Sequence, residues 1–372
     1  MVLSTAFVNL SIYATSAGAA TSIRSVTANV IPGNSSKFVQ REGLMPTPQP
    51  SEDNMRIDPM PNTFEWWYLQ GTFSDGSHAE FAFFPKPWMD NSGPLDPYFA
   101  VSITSPNGTV FLDAVHVSTD QFSAARNQAN ISIGNNWVRG DLKTYHVHFQ
   151  TPRGLGADLV FNREAPSAKG GGGSGIVYFD PSLTRYVGWF IALPSAKVEG
   201  TLTYNDQTHH VQGEGYHDYN WGTVSFNQVL DRWFWTTGHF GNYTLDAGLL
   251  VTTSYYNHQQ LPAFYLARGN QVLINEMNHF TVHGSGNLTA PGGHDYPKTM
   301  NFHWQNGTDT VNLLFTNPKI VQAGSPVVRT NATIFGNPEY LRLSGNGTLN
   351  VNIAGKNQTS STPIVVEINY GH

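Results

Sequence analysis

Phe64-Glu65-Trp66-Trp67-Tyr68-Leu69-Gln70-Gly71-Thr72-Phe73 runs through Ser74-Asp75-Gly76-Ser77 into the apolar run Ala79–Phe84. Two aromatic-rich runs on either side of an Asp-Gly turn read as a β-hairpin. A second hairpin follows, with Tyr98–Thr104 and Val110–Val117 flanking Ser105-Pro106-Asn107-Gly108. Further strands are expected at Asn130–Arg139, Thr144–Gln150, Ala157–Asn162, Val187–Pro194 and Ala196–Tyr204. Beyond Gly222 the best candidates are Trp233–Phe240, Tyr243–Tyr256, Pro262–Arg268, Gln271–Ile274 and Phe280–Gly284. Met300–Trp304, Val311–Asn317, Tyr340–Asn352 and Thr362–Tyr370 complete the set. Turn residues separate these runs at short intervals, as a barrel or sandwich requires, and helical periodicity is hard to find. The chain reads as all-β. Its 372 residues favour two domains, divided near residues 222–232. Gly170–Gly173, Ser174 and Gly175 read as a flexible loop. A phosphate cradle is excluded there, because no Lys-Ser/Thr and no helix start follow.

Charged residues make up 12% of the chain, against roughly 25% in an average domain. Asn, Ser, Thr, Gly and His must therefore supply the polar surface. A net charge of -6 with no basic cluster argues against nucleic acid as a partner. The chain has no cysteine, which removes disulfides, thiol nucleophiles and thiolate metal sites together. No run approaches the length of apolar sequence needed for a membrane span.

Residues 2–14 are mostly apolar or small, and Ala17-Gly18-Ala19 has the small-x-small form of a cleavage site. No Lys or Arg precedes that run. Residues 1–19 are read as a signal peptide and 20–60 as an irregular N-terminal arm. A first β domain is expected over 61–225 and a second over 226–372. Glycosylation sequons at Asn34, Asn107, Asn130, Asn242, Asn287, Asn306, Asn331, Asn346 and Asn357, with one more at Asn9, point to the secretory pathway or the extracellular space.

Two motifs concentrate the chemistry. In Glu65-Trp66-Trp67-Tyr68, strand alternation puts Glu65 and Trp67 on one face and Trp66 and Tyr68 on the other. A carboxylate beside an indole in a barrel mouth is desolvated, and its raised pKa suits an acid or donor. Alternatively Glu65 pairs with Arg56 or Arg232, or caps backbone N–H groups. The second motif is Gly213-Glu214-Gly215-Tyr216-His217-Asp218-Tyr219-Asn220-Trp221-Gly222. Tyr216, Asp218 and Asn220 would form a polar row suited to a carbonyl or hydroxyl, with His217, Tyr219 and Trp221 behind. His217 is an alternative proton carrier. A buried hinge with a satisfied Asp218 is the competing account.

These motifs make Glu65, Tyr216, Asp218 and Asn220 candidate catalytic residues. Trp67, Tyr68, His217 and Trp221 are candidate substrate-binding residues. Trp233 and Trp235, which alternate with Thr237 onto one side, either line a shared cleft or fill the second barrel. A metal is not expected, because His146-x-His148 lacks the following Glu of a cupin-like site. No Gly-x-Ser-x-Gly elbow supports a Ser-His-Asp triad.

Glu65-Trp66-Trp67-Tyr68, the Gly-x-Gly-Tyr-x-Asp-x-Asn-Trp-Gly segment and Trp233-x-Trp235 together resemble the AttH and carotenoid 1,2-hydratase family, over about residues 60–370. The resemblance implies two lipocalin-like antiparallel β-barrel or sandwich domains packed side by side, with substrates bound near their junction. Fungal members include Diels–Alderases that form decalins. Others join a tropolone-derived quinone methide to a humulene-type sesquiterpene by an intermolecular hetero-Diels–Alder reaction. The sequons and export signal look most like the latter group. Bacterial hydratases of the family protonate an alkene from the Tyr-x-Asp segment, which matches Tyr216 and Asp218 here. The implied partners are small apolar substrates, and no cofactor is implied. A decalin-forming Diels–Alderase, a hydratase or isomerase of an apolar polyene, and a non-catalytic lipocalin-like carrier remain as alternatives.

Overall fold

The structure is a computed structural model that describes residues 29–58, 60–87, 91–291, 293, 295–323 and 340–370. The proposed signal peptide and the sequons at Asn9 and Asn331 lie outside the described residues.

The chain is nearly all β, as its turn-punctuated pattern requires, in two antiparallel sheets. The first runs from edge to edge through Val110–His116, Tyr98–Thr104, His78–Phe84, Phe64–Phe73, Gln207–Gly222, Tyr186–Tyr204 and Gly156–Arg163. It continues through Thr144–Gln150, Asn136–Gly140, Ala129–Ile133 and Phe122–Ala124. The second runs through Gln271–Glu276, Gln260–Arg268, Tyr243–Thr252, Leu230–Phe240, Lys356–Asn369, Tyr340–Ile353, Asp309–Ala323, Asp295–Asn306 and Phe280–Thr289. Both expected hairpins form, Phe64–Phe73 with His78–Phe84 and Tyr98–Thr104 with Val110–His116.

Each sheet wraps its own apolar core. Trp67, Leu69, Phe81, Phe99, Phe149, Phe161 and Tyr219 fill the first. Leu245, Phe264, Phe302, Leu313, Leu343 and Val366 fill the second. A third layer of contacts lies between the sheets, where Tyr216, Trp235, Tyr265 and Ile191 pack together. Tyr265 Oη donates to the Pro166 carbonyl across this junction at 2.7 Å.

The N-terminal arm carries more structure than its composition suggests. Ser36–Arg41 is helical and Pro50–Glu52 is a 3-10 turn. Phe38 and Met55 join the first core, and Asp53 is fully buried. The arm thus supplies part of the first domain's interior.

The glycine run is another departure. Gly170, Gly171, Ser174 and Gly175 are buried where the two sheets meet. A Cβ on Gly170 would lie 2.3 Å from the Trp189 ring, and one on Gly172 (φ +79°) would lie 2.7 Å from the Asn275 carbonyl of the second sheet. The run is a loop, as expected, but a buried one, and close backbone approach explains its glycines.

Candidate functional site

The Phe64–Phe73 and Gln207–Gly222 strands pair so that Asp218 opposes Tyr68 and Asn220 opposes Trp66. Residues opposed across an antiparallel pair share a face. Trp66, Tyr68, Tyr216, Asp218 and Asn220 therefore turn toward the second sheet, joined by Trp189, which opposes Asn220 on the next strand. From the second sheet, Trp235 opposes both Gly248 and Glu367. A cavity of about 180 Å³ lies between the two faces. Its walls include Trp66, Tyr68, Trp189, Phe226, Trp233 and Trp235, and its polar groups are Asp218, Asn220 and Glu367.

Asp218 is the best-defined acid of this cavity. Its Oδ2 accepts from Trp189 Nε1 (2.8 Å) and the Tyr216 hydroxyl (2.9 Å), and Oδ1 accepts from Asn220 Nδ2 (2.9 Å). Burial pushes its carboxyl up to about 7, against the opposing pull of the Trp189 and Tyr216 hydrogen bonds. The carboxyl therefore keeps its proton to much higher pH than a solvated aspartate, inside an apolar, ring-lined space. Burial also raises the Tyr68 and Tyr216 phenols well above their ordinary value, so both stay neutral donors.

A buried polar network anchors the opposite wall. Arg342, on the second sheet, donates to the Tyr68 hydroxyl (2.6 Å) and to Glu367 (3.2 Å). It also donates to Glu80 and Gln70 of the first sheet. This guanidinium is 1% exposed and ties the two sheets together beside the cavity.

The sequence placed some residues on the wrong side of the strand. Glu65 and Trp67 share a face, as alternation demands, but that face is the first core. Glu65 Oε1 accepts from the Arg56 N–H (2.7 Å), the Ile57 N–H (2.9 Å) and the Tyr219 hydroxyl (2.6 Å). This is the backbone-capping alternative, and the carboxyl lines no part of the cavity. Burial raises it to about 7. His217 is likewise interior. Its Nε2 lies 3.0 Å from Asp53 Oδ2 and its Nδ1 2.8 Å from the Tyr68 carbonyl. Burial pushes the imidazole down, but Asp53 and these bonds outweigh it and the net shift is upward. Trp221 stacks on Tyr219 at 4.9 Å, and Tyr219 stacks on Trp67 at 5.1 Å, all within the first core. Glu65, Trp67, His217 and Trp221 are thus interior to the first domain and do not touch the cavity.

Tyr68, Asp218, Asn220, Trp233 and Trp235 do line it, and Tyr216 stands directly behind Asp218. Sequence reasoning missed Trp66, Trp189, Phe226 and Glu367 as wall residues. The signal for Glu367 was a lone carboxylate in the apolar run Val365-Val366-Glu367-Ile368. His146 is exposed and His148 pairs with Asp158 at 2.6 Å. Among the described residues, no group of three or more His, Asp or Glu side chains is placed to hold a metal ion. Seven sequon asparagines are exposed: Asn34, Asn107, Asn242, Asn287, Asn306, Asn346 and Asn357. Asn130 is half-buried.

Comparison with known proteins adds three findings. A family model described as Diels-Alderase-like matches residues 42–284. The quinolone epoxide rearrangement protein penF of Penicillium thymicola is 28% identical over 173 residues, 42% of this chain and 45% of that protein. The protein of the same description from Emericella nidulans, asqO, is 26% identical over 223 residues, 53% of this chain and 57% of that one. The matches thus span about half the length of these curated relatives. Among solved structures, CghA superposes with a TM-score of 0.61 over 92% of this chain and 96% of its own, at 14% identity, a likeness of fold.

Proposed function

The chain belongs to the Diels-Alderase-like family, and from that premise we propose that it is a pericyclase of secondary metabolism acting on small apolar substrates between its two sheets. The observation that carries this reading is Asp218, a carboxyl raised to about 7 and set in a wall of indoles. A protonated Asp218 hydrogen-bonds a carbonyl, enone or quinone-methide oxygen and polarises the attached π system. Such a bond, aimed at charge developing in the transition state, is worth a few kcal/mol, roughly 3. The ring-lined walls hold the reacting π faces together, and this positioning is worth up to roughly 7–11 kcal/mol in ideal cases.

The finer form of the proposal is an intermolecular hetero-Diels–Alder reaction between a tropolone-derived quinone methide and a humulene-type sesquiterpene. Support for it comes from the motif resemblance and from the exposed sequon asparagines, which fit passage through the secretory pathway. A second reading has its own support. The cavity, about 180 Å³, is smaller than the roughly 300–1,000 Å³ usual for ligand pockets. One guest suits it better than two, and the relatives are named for rearranging a quinolone epoxide. In that reading Asp218 protonates the epoxide oxygen and a single substrate rearranges.

The test offers purified protein two reactions, a quinone-methide precursor with humulene and a quinolone epoxide alone. A single stereoisomeric adduct containing the summed atoms of both partners supports the first reading. Faster, selective epoxide rearrangement supports the second. Rates and stereochemistry equal to buffer in both would leave a carrier and refute the enzyme.

A further inference from the structure

Glu367 has no part in that account, although it is the carboxyl that the second sheet brings to the cavity. Strand pairing fixes its direction. On one side it opposes Trp235, whose Nε1 donates to Asp246 Oδ1 at 3.0 Å, and on the other it opposes Arg342. Indole, carboxyl and guanidinium therefore share one face of the second sheet. Arg342 donates from that face to Tyr68 and Gln70 of the first sheet. Val366 and Ile368, on either side of Glu367 in sequence, fill the second core instead.

The charges in this row do not balance. Arg342 Nη1 lies 3.2 Å from Glu367 Oε1 and also pairs with Glu80. Arg342 Nη2 lies 3.0 Å from His78 Nε2. A guanidinium only donates, so that ring nitrogen accepts and His78 is neutral. Its other nitrogen stands 3.0 Å from Thr72 Oγ1. The Tyr68 and Tyr340 phenols and the Gln70 amide complete the surroundings and bring no charge. Two carboxylates thus share one cation. Glu80 does not line the cavity and Glu367 does. A charge taken out of water is costly unless hydrogen-bond donors match it, and the open side of Glu367 is the side a guest meets.

We propose that Glu367 is a specificity-determining residue that accepts a hydrogen bond from an N–H or O–H of the guest. The inference rests on the reading of this cavity as the guest site. The substrate class it selects carries a carbonyl oxygen for Asp218 and a conjugated N–H or O–H for Glu367, as in a lactam, a vinylogous amide or an enol. Conjugation makes the two contacts cooperate. Donation to the oxygen acidifies the N–H, and the carboxylate at the N–H feeds electron density back toward the oxygen. A guest with a ring oxygen in place of the N–H turns a lone pair toward the carboxylate and leaves it unmatched.

The test compares rigid guests that differ at one ring position. 2-Quinolone and 4-quinolone carry an N–H conjugated to a carbonyl, and coumarin and chromone carry an oxygen in its place. Binding to the full chain is read by tryptophan fluorescence titration and calorimetry. Wild type should bind at least one quinolone roughly 10–100-fold more tightly than its oxygen analogue, the effect of one hydrogen bond to a charged group. In Glu367→Gln, Arg342 holds the amide oxygen and the NH₂ group turns to the guest, so the preference should vanish or reverse. Glu367→Leu removes the acceptor outright and serves as a second variant with the same expectation, and urea midpoints check that each variant is folded. Equal binding of the quinolones and their oxygen analogues by wild type overturns the inference. So does failure to bind either quinolone, or a preference that survives in the folded variants, which would leave Glu367 as a structural partner of Arg342. Turnover is scored separately. A wild type that prefers N–H guests but catalyses neither reaction refutes the enzyme and keeps this assignment, whereas catalysis without the preference refutes this assignment alone.

Discussion

Glu65→Gln should stabilise the protein at alkaline pH and leave it nearly unchanged in acid. In the folded chain the Glu65 carboxyl keeps its proton up to about pH 7, against 4.5 when exposed. Between those values the folded state binds more protons than the unfolded state. The stability it contributes is therefore complete below pH 4.5 and is lost as pH rises through 7. At roughly 1.4 kcal/mol per factor of ten, the loss is about 3 kcal/mol. A glutamine cannot ionise, yet its Oε1 accepts the same bonds from the Arg56 and Ile57 amides and the Tyr219 hydroxyl. Its added NH₂ group must find a partner in the core, which offsets about 1 kcal/mol. The net expectation is a gain of about 2 kcal/mol at pH 8 and about none, or a slight loss, at pH 4.5. Urea unfolding followed by tryptophan fluorescence at both pH values reads the difference. Asp218 titrates in the same window but is common to both proteins, so it cancels. A variant destabilised equally at both pH values would refute the reasoning. It would show that the first core needs a carboxylate at this position.

Asp218→Asn should cut turnover by roughly 10²–10⁴-fold with little change in urea midpoint at pH 4, and by the linkage argued for Glu65 a higher midpoint at pH 8; wild-type activity should fall as pH passes about 7 and the acid loses its proton. Arg342→Met should cost about 3–5 kcal/mol in urea, because Glu80 is left buried without its cation. Pairing it with Glu80→Leu should recover most of that loss, and no recovery would argue against the ion pair as the cause. Gly170→Ala puts a methyl within 2.3 Å of the Trp189 ring. It should destabilise by about 1–3 kcal/mol and weaken guest binding, read by calorimetry and fluorescence titration. Endoglycosidase treatment of protein recovered from a eukaryotic secretion host should lower its apparent mass, and an unchanged mass would remove the secretory proposal.

The all-β class was legible because Asp-Gly and Asn-Gly turns interrupt aromatic runs at strand-length intervals, as around Ser74–Ser77 and Ser105–Gly108. The alternation within each motif was legible too, and Tyr216, Asp218 and Asn220 do share a face. Alternation does not say which face meets the other domain. Glu65 went to the wrong side because a strand buried on both faces gives no polar–apolar contrast, and the arm residues that satisfy it precede Glu65 by eight and nine positions. Trp189 was hidden for a similar reason, since its contact with Asp218 spans 29 residues. The glycine run misled because composition alone cannot separate a loop that needs freedom from one that needs to be thin. Asp246 and Glu367 were each visible as single carboxylates in apolar strands, a pattern that marks a buried polar group but not its partner.

Along Phe64–Phe73 and Gln207–Gly222, the guest-facing side chains at 66, 68, 218 and 220 all carry even numbers, and the interior ones at 65, 67, 217, 219 and 221 all carry odd ones. Parity thus separates selectivity from foldability on these two strands. A combinatorial library confined to those four even positions would retune what the chamber accepts while leaving the first core intact, and the same diversity spent on odd positions would mostly yield chains that do not fold.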